Sequence, residues 1–349
     1  MKYKRVKYIR WAVLLLLLAG VGMCAKMPGA GEWYAREVYP YVSVMLSGVA
    51  SVVPFSLCEV TVLGFVLCLI ALPFGMRKHQ APWGKVCVRE AEVLLWVYVW
   101  FYWAWGMNYF RDDFFTRSET ERVAYEEVRF RQFIGQFVDS LNAAYIQDAS
   151  LSEKEIQSGI KAIYRQVPER FGLTLPKDFQ HPKRSLVNGL YSKVGVLGYM
   201  GPFFDESHVN HELLPVQYPF TYAHELSHLL GVSNEAEANF WAYQVCVRSE
   251  NKFVRYCGYF GFLPYIYRDA NRMLNEADFK EWANRIRPDI LRELREKEVY
   301  WNERYSPLLG AVQDALYDWY LKGNHIPSGK KNYGEVVGMI LSLPENWWQ

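Results

Sequence analysis

Three apolar runs crowd into the first third of the 349-residue chain, at 11–25, 55–74 and 91–109, and no comparable run follows. About 20 apolar residues carry a helix across the hydrocarbon layer, so these runs read as membrane-spanning helices. Basic residues set their direction. Lys2, Lys4, Arg5, Lys7 and Arg10 precede the first run, and Arg77, Lys78, Lys85 and Arg89 separate the second from the third. Positive segments stay in the cytoplasm, so three spans with a cytoplasmic N-terminus carry everything after Tyr109 outside it. The first run lacks an Ala-x-Ala cleavage site and more runs follow, so it reads as a retained anchor. Residues 39–53, apolar and rich in small side chains, read as a re-entrant or interfacial helix. The aromatic content of 17% fits Trp and Tyr at the interfaces. The expected organisation is a membrane anchor over 1–110 and an extracytoplasmic domain over 111–349. Net charge is +2 with no basic block in the second half, which argues against a nucleic-acid partner.

From Arg111 the chain becomes charged and amphipathic. Val128, Phe130, Phe133, Ile134, Phe137, Val138 and Leu141 recur at helical spacing. Ser152-Glu-Lys-Glu155 is a capping box opening a second helix, which Pro168 bounds. Glycines and β-branched residues over 185–201 predict two short strands joined by a turn, which could pair with an extended peptide. Asp205–His211 reads as a polar loop, with His208 and His211 as loop histidines. Further helices are expected over 234–248, 276–305, 308–321 and 333–343. The fold class is therefore mainly α: N-terminal transmembrane helices, then a predominantly helical domain with a small β-sheet. Cys246 and Cys257 could pair, but a buried free thiol is the expectation for Cys246.

One stretch carries chemistry: Tyr222-Ala-His-Glu-Leu-Ser-His-Leu-Leu-Gly231. His224 and His228 are four apart, so on a helix both imidazoles lie on one face and reach one ion. Glu225 sits beside that ion as the base for a water molecule. Gly231 is placed to end the helix in the left-handed conformation.

A zinc site needs at least a third protein ligand. Glu235 and Glu237 are the candidates, at the start of the next helix. Glu235 shares a face with Asn239, Ala242 and Cys246, whose modest size lets that face approach the histidine helix closely. Glu237 shares another face with Trp241, Gln244 and Arg248, and can serve instead as the N3 partner of an Asn234 N-cap. Glu235 is therefore the preferred ligand and Glu237 the alternative. Asn239, one turn on, is placed to orient a ligand. Asn234 stands where the long metzincin motif has its third histidine, but Asn is a poor zinc ligand.

His224-Glu-Leu-Ser-His228 followed by Asn-Glu-Ala-Glu-Ala-Asn239 resembles the gluzincin arrangement, in which a Glu-x-x-x-Asp/Asn helix supplies the third ligand and its orienting partner. That resemblance implies a zincin-like domain with Glu235 as ligand and Asn239 behind it, although the interval from His228 to Glu235 is shorter than is usual there. The whole chain resembles a bacterial membrane family labelled domain of unknown function 3810, found mainly in Bacteroidota. The matching pieces are Trp-Gly-Met-Asn-Tyr-Phe-Arg at 105–111, Gly-Tyr-Met-Gly-Pro-Phe at 198–203, the histidine motif, and Tyr-Leu-Lys-Gly-Asn at 320–324. This implies a multi-pass protein of the inner membrane.

The expected function is zinc-dependent hydrolysis of peptide bonds in a peptide or protein substrate. His224, His228 and Glu235 would hold Zn2+, and Glu225 would act as base. Tyr243, Tyr256 or a histidine of 205–211 could support the oxyanion. Two other readings stay open: a non-catalytic zinc-stabilised membrane scaffold, and a hydrolase of a non-peptide envelope amide. A structural site has no need of a base at Glu225, which weighs against the scaffold.

Overall fold

The computed structural model describes residues 2–123, 126–147, 151–323, 335–344 and 346–348. The described residues are mostly helical, 70%, with one two-stranded sheet among them. It divides into two compact units: Met1–Asp112 with Gly201–Glu206, and Asp113–Met200 with Ser207–Gln349.

The first unit holds α1 (Lys2–Lys26), α2 (Tyr39–Ser51), α3 (Leu57–Lys78) and α4 (Trp83–Ala104). Among the described residues, two helical segments are long and apolar enough to cross a membrane: Arg5–Lys26 and Leu57–Lys78, of 22 residues each, with mean hydropathy 1.9 and 2.3. Few of their side chains are buried within the protein. The third expected span does not qualify by the same test. α4 carries Lys85, Arg89, Glu90 and Glu92 in its first half and ends at Ala104, so its uncharged run, 93–104, falls short of the ~20 residues a crossing needs. A 3₁₀ turn, Gly106–Phe110, replaces the expected helical end.

Within this unit α4 lies along α1. Arg10 Nη2 donates to Glu92 Oε2 at 3.0 Å, and Trp103 Nε1 donates to the Leu17 carbonyl at 3.1 Å. The pairs follow the same order along both helices, so the two run parallel. Arg89 also bonds Glu92, so the buried carboxylate is matched by two guanidinium groups. Arg111 closes the unit with a two-pronged bond to Glu32, at 3.0 and 3.1 Å.

The second unit packs α5 (Glu127–Ala144), α6 (Glu153–Tyr164), α7 (Tyr218–Leu229), α8 (Glu235–Val247), α9 (Lys252–Met273), α10 (Glu276–Asn284), α11 (Pro288–Asn302), α12 (Pro307–Gly323) and α13 (Val336–Ser342). The Ser152–Glu155 capping box forms at the start of α6. α7, α8 and α9 are the central layer. Phe240 and Trp241 of α8 sit in an aromatic cluster with Phe114, Phe171 and Trp347. Cys246 and Cys257 are free and buried.

Four local expectations need correction. Residues 188–193 form a short helix, and the strand that pairs with β1 (Gly198–Gly201) is β2 (Glu206–Val209), a stretch read as loop. All four β2 residues are buried, so polar identity concealed a strand enclosed on both faces. His208 is accordingly a buried strand residue, whereas His211 is an exposed turn residue. The helix expected over 276–305 breaks between α10 and α11, because Pro288 lacks the amide that continuation needs. α9 was not anticipated at all. Asn324 and Tyr333, at the ends of two sequence expectations, lie outside the described residues.

Candidate metal centre

α7 begins with Pro219 in its first turn, where a missing amide costs nothing, and carries His224 and His228 one turn apart. Its C-terminus folds back in a Schellman turn. Gly231 takes φ +95°, its amide bonds the His228 carbonyl at 3.1 Å, and the Val232 amide bonds the Ser227 carbonyl at 3.1 Å. That reversal brings the Val232 carbonyl to 2.7 Å from His228 Nδ1. Two residues later Asn234 caps α8 by accepting from the Glu237 amide at 3.0 Å, and Glu235 is the first helical residue. Asn239, one turn further, puts Oδ1 3.0 Å from His224 Nδ1.

Both histidines thus face an acceptor with Nδ1. That holds a proton at each Nδ1 and leaves Nε2 as the atom that would meet an ion. The two Nε2 atoms lie 3.1 Å apart, and Glu235 Oε2 lies 3.3 Å from one and 3.6 Å from the other. Two imidazole Nε2 atoms and a carboxylate oxygen converge on one point, where a proton or a metal ion can join them. Ligands 2.0–2.1 Å from a tetrahedral zinc are about 3.3 Å from each other, so the observed triangle has the size such an ion sets. His224, His228 and Glu235 are the one group of this kind among the described residues.

The electrostatics follow the geometry. Burial disfavours the charged imidazolium at His228, but the facing Glu235 carboxylate outweighs it and raises the pKa to about 9. Burial works against ionising Glu235 too, yet its carboxyl is held well below the usual range by His228 and His224. Glu225 is pushed up to about 7 by burial, with the Glu235 charge adding and the two histidines opposing. Its Oε2 is buried and accepts no hydrogen bond from the described residues. A carboxylate oxygen so placed beside the triangle suits a water molecule as partner.

Gly198 of β1 belongs to this site, although its role was not foreseen. A Cβ there would stand 2.6 Å from Glu225 Oε1 and 2.8 Å from the His208 carbonyl oxygen. Only glycine lets the strand lie so close to the Glu225 side chain. Next to it Tyr199 stacks on His208, 4.1 Å between centroids and nearly parallel.

Glu237 is turned away from the triangle. It forms a buried ion pair with Arg117 and accepts from Trp241 Nε1 at 2.9 Å, while Arg117 also donates to the Phe171 carbonyl at 2.7 Å. The supposedly polar face of α8 is therefore buried as fully as the other. Tyr243 stacks on Phe262, and Tyr256 donates to Glu293, so both are engaged in packing. Tyr265 of α9 also stacks on Phe262, and burial first, then the Glu235 charge, hold its phenol above the ordinary range. Sequence reasoning passed over Tyr265 because α9 itself went unread.

A model of the family described as protein of unknown function (DUF3810) matches residues 34–341, most of the chain. The chain belongs to this family. The match takes in both units of this DUF3810 protein, including α2 to α4 and the whole histidine centre. No curated protein and no solved structure matches it.

Proposed function

We propose that this DUF3810 protein is a membrane-anchored, zinc-dependent metallopeptidase with a zincin-like second unit. The carrying observation is the triangle of His224 Nε2, His228 Nε2 and Glu235 Oε2, with the unpartnered Glu225 Oε2 beside it. His224, His228 and Glu235 would hold the ion, which when bound supplies Lewis acidity toward a water molecule and a peptide carbonyl. Asn239 and the Val232 carbonyl keep both imidazoles in the binding tautomer. Glu225 Oε2 takes the proton of the attacking water and returns it to the leaving amine. The scaffold reading leaves a buried, unpartnered carboxylate at Glu225 with no task.

We place the first unit in the cytoplasmic membrane as the anchor, with the second unit outside the cytoplasm. α4 runs parallel to α1 without being a span of its own. The charges of α4 gather at its N-terminal end, where Glu92 is neutralised by Arg10 and Arg89. A reporter fused after Gln349 tests this by its activity outside the cytoplasm.

Zinc analysis and cleavage of a peptide library by the detergent-solubilised chain, set against Glu225→Gln, test the chemistry. The expected result is equal zinc in both and a loss of turnover of about 10²–10⁴-fold in the variant. Equal zinc with no cleavage by the wild type would sink the peptidase reading.

A further inference from the structure

α11 is packed on one side only. Ile290 is its one buried residue, Glu293 accepts from Tyr256, and Trp301 Nε1 donates to Gln217 Oε1 at 2.8 Å. Its other side is a shallow groove lined by Arg292, Arg295, Glu296, Val299, Tyr300 and Glu303. The Glu303 amide bonds the Val299 carbonyl at 3.1 Å, so the helical ladder carries Glu303 onto the same stripe. Positions 292, 296, 299 and 303 step by four, three and four, the spacing of a seam between two paired helices. Val299, at the centre, is 57% exposed.

The order of charges selects the helix that fits. Arg292 is paired within α11, with Asp289 at 2.7 Å. Arg295 and Glu303 enter no ion pair among the described residues. Arg295 lies four residues before Val299 and Glu303 four after, about 6 Å along the axis in each direction. A second copy of α11, laid antiparallel about a two-fold axis at Val299, sets Arg295 of each copy against Glu303 of the other. The two Val299 side chains then meet, and Glu296 faces the uncharged Asn302. A parallel copy would set Arg295 on Arg295 and Glu303 on Glu303. A patch that complements itself under a two-fold axis is what an isologous dimer requires. We infer that α11 is a homodimer contact, its stripe pairing antiparallel with the same stripe of a second copy of this chain. The stripe is far smaller than the about 20–30 residues a side of a standing interface. The contact therefore serves chains held in one membrane, where effective concentration is high. It rests on the anchoring proposed above for its strength, and not on the peptidase reading.

Cysteine cross-linking of the full chain in native membranes tests it. The exposed Cys68 and Cys87 are first changed to serine, which leaves only buried cysteines. Under mild oxidation Val299→Cys should give a disulfide-linked dimer. Glu298→Cys, also exposed but about 100° around the helix, should give at least about tenfold less. In the Val299→Cys background, Arg295→Glu or Glu303→Arg alone should lower the yield about tenfold. The two together should restore it, because both pairs are remade with reversed sign. All four positions are exposed, so these variants keep the core intact. Equal cross-linking at 298 and 299, no dimer at 299, or a double reversal that fails to restore the yield would overturn the proposal. Carbonate extraction of the same membranes separates the two readings. A resistant chain without the cross-link sinks the contact and leaves the anchor; an extracted chain that still cross-links sinks the anchor and leaves the contact.

Discussion

α3 and α8 invert each other. α3 is apolar along its length and shows most of its surface outward, with Leu63, Leu67 and Ile70 all more than half exposed. α8 carries two glutamates, an asparagine and a glutamine, and every residue from Glu235 to Cys246 is buried. In water each would be wrongly placed. The exposed apolar helix makes sense with lipid as its solvent, and the buried polar one makes sense with each polar group matched. Glu237 is matched by Arg117 and Trp241. Glu235 is matched by the two imidazoles, which a proton or a metal ion can join to it. The same burial thus serves an ion pair at one carboxylate and, on the proposed reading, a metal centre at the other, two residues apart.

The contrast can be broken from either side. Glu237→Ala would leave Arg117 buried without its carboxylate. It should lower stability by about 3–5 kcal/mol in denaturant unfolding while bound zinc persists. Unchanged stability would mean that Arg117 finds water and that α8 is less enclosed than described. On the other helix, Leu67→Arg places a charge at the middle of α3, where Leu67 is 56% exposed. A bilayer makes that cost about 2.5–3.5 kcal/mol, read as loss of chain from the carbonate-resistant membrane fraction. A surface helix in water would accept the arginine without penalty. Asn239→Ala is the subtlest: zinc affinity should fall about 10–100-fold, because His224 loses the acceptor that fixes its tautomer. Competition with a chelator measures it, and an unchanged affinity would demote Asn239 to a packing role.

Much of the centre was legible because local rules dominate there. The spacing of His224 and His228, the left-handed Gly231 and the Asn234 cap are short-range constraints with few alternatives. The choice of Glu235 over Glu237 followed from side-chain size along α8, since small neighbours mark the face that approaches α7. The parts that escaped reading depend on tertiary context. Glu-Ser-His-Val of β2 has the composition of a loop, and only enclosure on both faces makes it a strand. α9 mixes aromatics, glycines and Pro264 without a clean stripe, because it is surrounded rather than one-sided. Gly198 looked like turn chemistry until the Glu225 side chain stood against it. The third apolar run over-reached in the same way: its aromatic end is a 3₁₀ turn, and its charged start pairs with Arg10 and Arg89.

The central claim is that Glu235 and not Glu237 completes a three-ligand centre. Zinc stoichiometry of the purified full chain, measured for the wild type, Glu235→Ala and Glu237→Ala, addresses it most directly. The account predicts one zinc per chain in the wild type and in Glu237→Ala, and none retained through gel filtration in Glu235→Ala. Full zinc in Glu235→Ala, or loss of zinc in a folded Glu237→Ala, would contradict it.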